Sequence, residues 1–192
     1  PRLARDLSIA AEEQANAEKY HMISASLNVA QASRSFKLVA FTSALAGEGK
    51  TTIISNVAMN LAQAGKQVLL IDLNIHRPAL AQQFRLGDQT GLTNLLLSQG
   101  KRLPVERYCQ STRIPGLQVL TAGSQYMTSS DFLQALAGIQ FFSRLRQAPF
   151  DYVLFDTPPL FAVAETQILL HSIEAMVLVV NGSHTPRKVL AR

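Results

Sequence analysis

Eight consecutive residues, Ala44-Leu45-Ala46-Gly47-Glu48-Gly49-Lys50-Thr51, carry the groups that a polyphosphate needs. Gly47 and Gly49 let backbone N–H groups turn inward around phosphate oxygens, because glycine alone adopts the required dihedrals cheaply. Lys50 supplies a cation for the β- and γ-phosphates, and the Thr51 hydroxyl supplies a ligand for Mg²⁺. The stretch matches the phosphate-loop pattern with Ala44 in place of its first glycine. A helix opening at Thr51-Thr52 would direct its positive end at the same anion. Ala46, Gly47, Glu48, Gly49, Lys50, Thr51 and Thr52 are therefore the expected contacts to a nucleotide, ATP or ADP.

Two aspartates stand where they could serve such a loop. Asp156 ends the apolar run Tyr152-Val153-Leu154-Phe155, as the acid that helps to hold Mg²⁺ does in phosphate-loop proteins. It could instead cap the next helix, but its company with the loop and Pro158-Pro159 favours the metal. Asp72 ends Val68-Leu69-Leu70-Ile71, two residues before Asn74. It would bind Mg²⁺ or accept a hydroxyl proton, or else cap a helix beginning near Pro78.

These positions follow from the elements expected around them. Short apolar runs at 38–41, 68–71, 117–120, 152–155 and 176–180 alternate with helical stretches at 51–64 and 131–146. Continuous apolar strands separated by helices predict an α/β fold, a mostly parallel sheet with helices on both faces. Ligands of such sheets bind beyond the carboxyl ends of the strands, where the loop, Asp72 and Asp156 all fall. Residues 1–35 are expected to form a helical segment, with Ala, Glu, Gln and Leu dominating 7–31. The nucleotide-binding domain is expected over 36–192.

With 192 residues and 47% hydrophobic content, one globular domain is expected. No apolar run reaches the length a bilayer requires. The chain begins at Pro1, and we expect a piece of a longer protein whose remainder could hold a membrane anchor. The single Cys109 excludes an internal disulfide and fits a reducing cytosol. The net charge of +5 is scattered, and the pairs Lys101-Arg102 and Arg187-Lys188 are too short to form a nucleic-acid tract. His171 and His184 lack a second ligand at metal spacing, and Asn181 is either a turn residue or a contact to adenine.

The ordered motifs resemble the bacterial tyrosine kinases of capsule and exopolysaccharide export. They are Thr42 to Thr52, Gly65 to Asp72, Arg77-Pro78, Gly91-Leu92-Thr93, Leu120 to Gly123 and Phe150 to Leu160. Wider relatives, the dimeric ATPases that partition chromosomes or place division sites, carry an early lysine in the loop where Leu45 stands here. The resemblance implies a P-loop NTPase fold and tyrosine autophosphorylation with ATP and Mg²⁺. It assigns catalysis to Lys50, Asp72 and Asp156, and the metal to Thr51, Asp72 and Asp156. It also implies tethering at the inner face of the cell membrane, to a polysaccharide co-polymerase membrane domain in the same chain or a partner. A homo-oligomer is implied through a helix whose Glu-x-x-Arg-x-x-Arg reads Glu18, His21, Ser24 here. Asn74 replaces the second acid of the Asp72 motif, and His76 an arginine. The alternatives are a catalytically weak nucleotide-binding regulator and a partitioning-type ATPase.

Overall fold

The computed structural model describes residues 2–98, 104–183 and 185–190. Six strands form one sheet: β1 (Leu38–Ser43), β2 (Val68–Asp72), β3 (Gln110–Ser111), β4 (Leu117–Leu120), β5 (Tyr152–Asp156) and β6 (Ala175–Val179). Their spatial order is β3-β4-β2-β5-β1-β6, and every pairing is parallel except the short β3–β4 edge. β1, β2 and β5 are wholly buried, so their sequences are continuous apolar runs rather than alternating ones.

The helices are α1 (Arg2–Ser33), α2 (Lys50–Gln63), α3 (Leu80–Phe84), α4 (Leu92–Leu97), α5 (Ser129–Gly138), α6 (Phe141–Gln147), α7 (Ala164–Leu170) and α8 (Arg187–Leu190). Two hydrophobic clusters cover the two faces of the sheet. On one face, Val39, Phe41, Leu70, Val119 and Leu154 pack with Ile54, Val57, Ala58 and Leu61 of α2 and with Leu27 of α1. On the other, Leu69, Ile71, Val153 and Phe155 meet Leu95 of α4, Phe132 of α5, Phe141 of α6 and Leu169 of α7. Alternate strand residues face opposite ways, which is why neighbours in one run belong to different clusters. α1 is further held by Tyr152, whose hydroxyl donates to Asn28 Oδ1 at 2.9 Å.

The helix expected over 131–146 is two helices. Phe132 and Leu136 face the core from α5, and Phe141 and Leu145 from α6. Residues 136 and 141 of one unbroken helix would point about 140° apart. A break at Gln140, whose φ is 51°, resets the phase so that all four reach one cluster. Gly138, a poor helix former, precedes it. No helix among the described residues is long and apolar enough to cross a membrane. His184 and the Lys101-Arg102 pair lie outside the described residues.

Candidate functional site

The loop between β1 and α2 rises from the carboxyl edge of the sheet, and both of its glycines take left-handed conformations, φ 81° at Gly47 and at Gly49. A side chain there would strain the backbone, so the two positions need glycine. Lys50 and Thr51 open α2, which is why their side chains point back toward the strand ends. Lys50 is buried, and its Nζ lies 3.4 Å from Asp156 Oδ1. The Thr51 hydroxyl donates to Asp156 Oδ2 at 2.6 Å. Burial pushes the Asp156 carboxyl up, and Lys50 and Thr51 oppose that shift. Asp156 Oδ1 is buried, and the Lys50 ammonium is the group that faces it among the described residues. A buried carboxylate and a hydroxyl side by side behind a phosphate loop are hard oxygen donors, so Thr51 and Asp156 fit Mg²⁺.

Asp72 sits beside Asp156, its register partner across β2 and β5. Its surroundings differ. Oδ1 accepts from the Asn74 amide at 3.0 Å, and Oδ2 accepts from Ala79 at 3.0 Å and Leu80 at 3.1 Å. The carboxyl thus closes the turn after β2 and satisfies amides at the start of α3. Burial, reinforced by the charge of Asp156, pushes it up to about 7 despite those amides. The structure therefore brings Lys50, Thr51, Asp72 and Asp156 to one edge of the sheet. Thr52 lies on the exposed side of α2, and Ala46 is exposed on the loop.

Glu48 has a role that residue type alone did not reveal. Its buried carboxylate accepts from the Leu45 amide at 2.7 Å and the Asn181 amide at 3.1 Å, and it also bonds the Thr185 hydroxyl. Burial raises this carboxyl, but those donors outweigh it and hold it below the usual value. One side chain thereby joins the phosphate loop to the segment after β6. Asn181 forms a turn there, its Oδ1 accepting from Ser183 N at 3.0 Å. His76 likewise has a partner: its Nε2 lies 3.0 Å from Ser129 Oγ, joining the loop after β2 to the start of α5. A glutamate inside a Gly-x-Gly loop was the one available signal for the first contact, and nothing in the spacing predicted the second.

Other sequence candidates stay apart from this edge. Cys109 donates weakly to the Val105 carbonyl, and burial with neighbouring Glu106 pushes its thiol up to about 12, away from the thiolate form. The ring Nδ1 of His171 contacts the Gln167 carbonyl at the end of α7. In α1, Glu18 and His21 are exposed, whereas Ser24 is buried and bonds the Tyr20 carbonyl.

A phosphate loop between the first strand of a parallel sheet and a helix, with a buried aspartate behind its lysine, defines a P-loop nucleotide-binding domain. Residues 36–185 match the AAA domain family. The chain is 36% identical over 182 residues to the tyrosine-protein kinase YwqD of Bacillus subtilis (strain 168), covering 92% of this chain and 73% of that protein. It is 30% identical over 154 residues to the succinoglycan biosynthesis transport protein ExoP of Rhizobium meliloti (strain 1021), 80% of this chain but 20% of that longer protein. The crystal structure of the VpsO kinase domain superposes with a TM-score of 0.77 at 30% identity, covering 94% of this chain and 88% of that one. The chain belongs to the bacterial tyrosine-protein kinases, within the AAA domain family.

Proposed function

We propose that this domain transfers the γ-phosphoryl group of ATP to tyrosine hydroxyls, including its own, and thereby regulates the polymerisation and export of a capsule or exopolysaccharide. The observation that carries the reading is the contact of Lys50 and Thr51 with Asp156 at the mouth of the phosphate loop. Amides of the loop and the Lys50 ammonium would hold the β- and γ-phosphates, and the N-terminus of α2 would favour their charge. Thr51 and Asp156 would hold Mg²⁺, which supplies neutralisation of the phosphate charge. Burial of Lys50 and Asp156 strengthens their field on the transferring group, because little water is present to screen it. Asp72 is raised enough to exchange a proton near neutrality, which suits a group that takes the phenolic proton.

The similarity to ExoP supports a place in polysaccharide export. A polysaccharide co-polymerase membrane domain, in the same chain or in a partner, would hold the domain at the inner face of the cell membrane, and self-association would let one copy phosphorylate another. Incubating the protein with ATP and Mg²⁺ and probing for phosphotyrosine tests the reading. A signal absent from parent protein, or surviving in Lys50→Met, overturns it.

A second reading, a nucleotide-responsive regulator without transfer, is favoured by one arrangement. Asp72 already accepts three backbone amides, and Asn74 supplies no second carboxylate. It predicts ATP binding with no phosphotyrosine, and no gain in biological output from Asn74→Asp.

A further inference from the structure

The four tyrosines of the chain occupy very different surroundings. Tyr152 is fully buried and its hydroxyl is bonded to Asn28. Tyr20 is half-buried on α1, and Tyr108 is half-buried against the core. Tyr126 is 86% exposed, and its hydroxyl has no hydrogen-bond partner among the described residues. An exposed phenol with no partner loses little when it enters another site, whereas Tyr152 would have to be torn from the core.

The backbone on both sides of Tyr126 is held. Residues 121–128 connect β4 to α5 without helix or strand. The Ser124 amide donates to Asn94 Oδ1 and the Gln125 amide to Thr93 Oγ1, each at 3.2 Å. On the other side Met127 is buried in the core, and the Thr128 hydroxyl caps α5 by accepting from the Asp131 amide. Tyr126 therefore stands out of a segment whose backbone is anchored before it and whose next residue, Met127, is buried, presented rather than dangling. The segment leaves the carboxyl end of β4, the same edge of the sheet that carries the phosphate loop, Asp72 and Asp156. The His76–Ser129 contact joins its far end to the loop after Asp72.

We infer that Tyr126 is a phosphate acceptor for the domain's own tyrosine kinase activity, an inference that rests on the function proposed above. In the reaction, Tyr126 Oη forms a bond to the γ-phosphorus of ATP. The bond from that phosphorus to the β,γ-bridging oxygen breaks, ADP departs, and the phenolic proton passes to Asp72, the acceptor proposed above. The product adds a charge near −2 three residues before Ser129, whose contact with His76 ties the start of α5 to the loop after Asp72.

The test uses the intact protein with ATP and Mg²⁺, a synthetic Glu-Tyr copolymer as an independent substrate, and mapping of tryptic peptides. Tyr126 is the sole tyrosine of the 114–144 peptide, so phosphotyrosine on that peptide identifies it. Phosphate on this peptide is expected, lost in Tyr126→Phe, while that variant labels the copolymer undiminished. If the copolymer is labelled and the peptide stays bare, the inference fails and the proposed function stands. If neither is labelled, both fail.

Discussion

Asp156 and Asp72 end adjacent parallel strands in exact register, and both are buried, yet they do different work. Asp156 faces the phosphate loop and meets side chains of α2, the Lys50 ammonium at one oxygen and the Thr51 hydroxyl at the other. Asp72 directs both oxygens at backbone amides of the segment that follows it. Strand position therefore brings a carboxylate to the edge, and the loop beyond decides whether its lone pairs remain available. After β5 the chain continues through Pro158-Pro159, which offer no amide to the carboxylate. After β2 it turns back over the acid with three.

The sharpest break in this contrast comes from Lys50→Met, which removes the cation that faces Asp156. Phosphotyrosine formation is expected to fall on the order of 10²–10³-fold, read by a phosphotyrosine blot over time. Next is Asp156→Asn, which should weaken nucleotide binding roughly 10–100-fold when Mg²⁺ is present and far less in EDTA. Calorimetric titration in both buffers checks the difference, and equal losses would place Asp156 outside the metal's reach.

Asp72→Ala should also cost stability, since it strands the Asn74 amide in the turn after β2 and two amides at the start of α3; about 1–3 kcal/mol for each amide that finds no water is expected from denaturant unfolding. A smaller effect separates the two acids by pH. Because burial and Asp156 push Asp72 up to about 7, the folded protein keeps a proton that the unfolded chain releases near the ordinary value of 3.8. Stability without nucleotide should thus fall as pH rises from about 4 to about 7 and level off above, with Asp72→Asn flattening the slope. Melting temperatures across that range are the measurement. A stability that rises over the same interval would show that the three amides, which favour the carboxylate, outweigh burial.

Much of the site was legible because its parts are local. Gly47, Gly49, Lys50 and Thr51 are defined by spacing, and Asp72 and Asp156 by the apolar runs they end. What was not legible depends on contacts between distant segments. Glu48 reaches Asn181 and Thr185 across more than 130 positions, and His76 reaches Ser129 across 53. The break at Gln140 was missed because apolar spacing on either side is helical, and only the shared core shows that the phase must reset. The edge strand β3, two residues long, has no periodicity to detect.

The amino-acid sequence by itself determined that a parallel sheet would present a phosphate loop and two strand-end acids on one edge, since alternation of buried strands and helices leaves no other place for them. Tertiary structure alone decided how those acids differ. A carboxylate's role depends on which donors reach it, and donors come from whichever backbone the fold lays against it. It also decided that Tyr126, one of four identical side chains in the sequence, is the one presented to solvent.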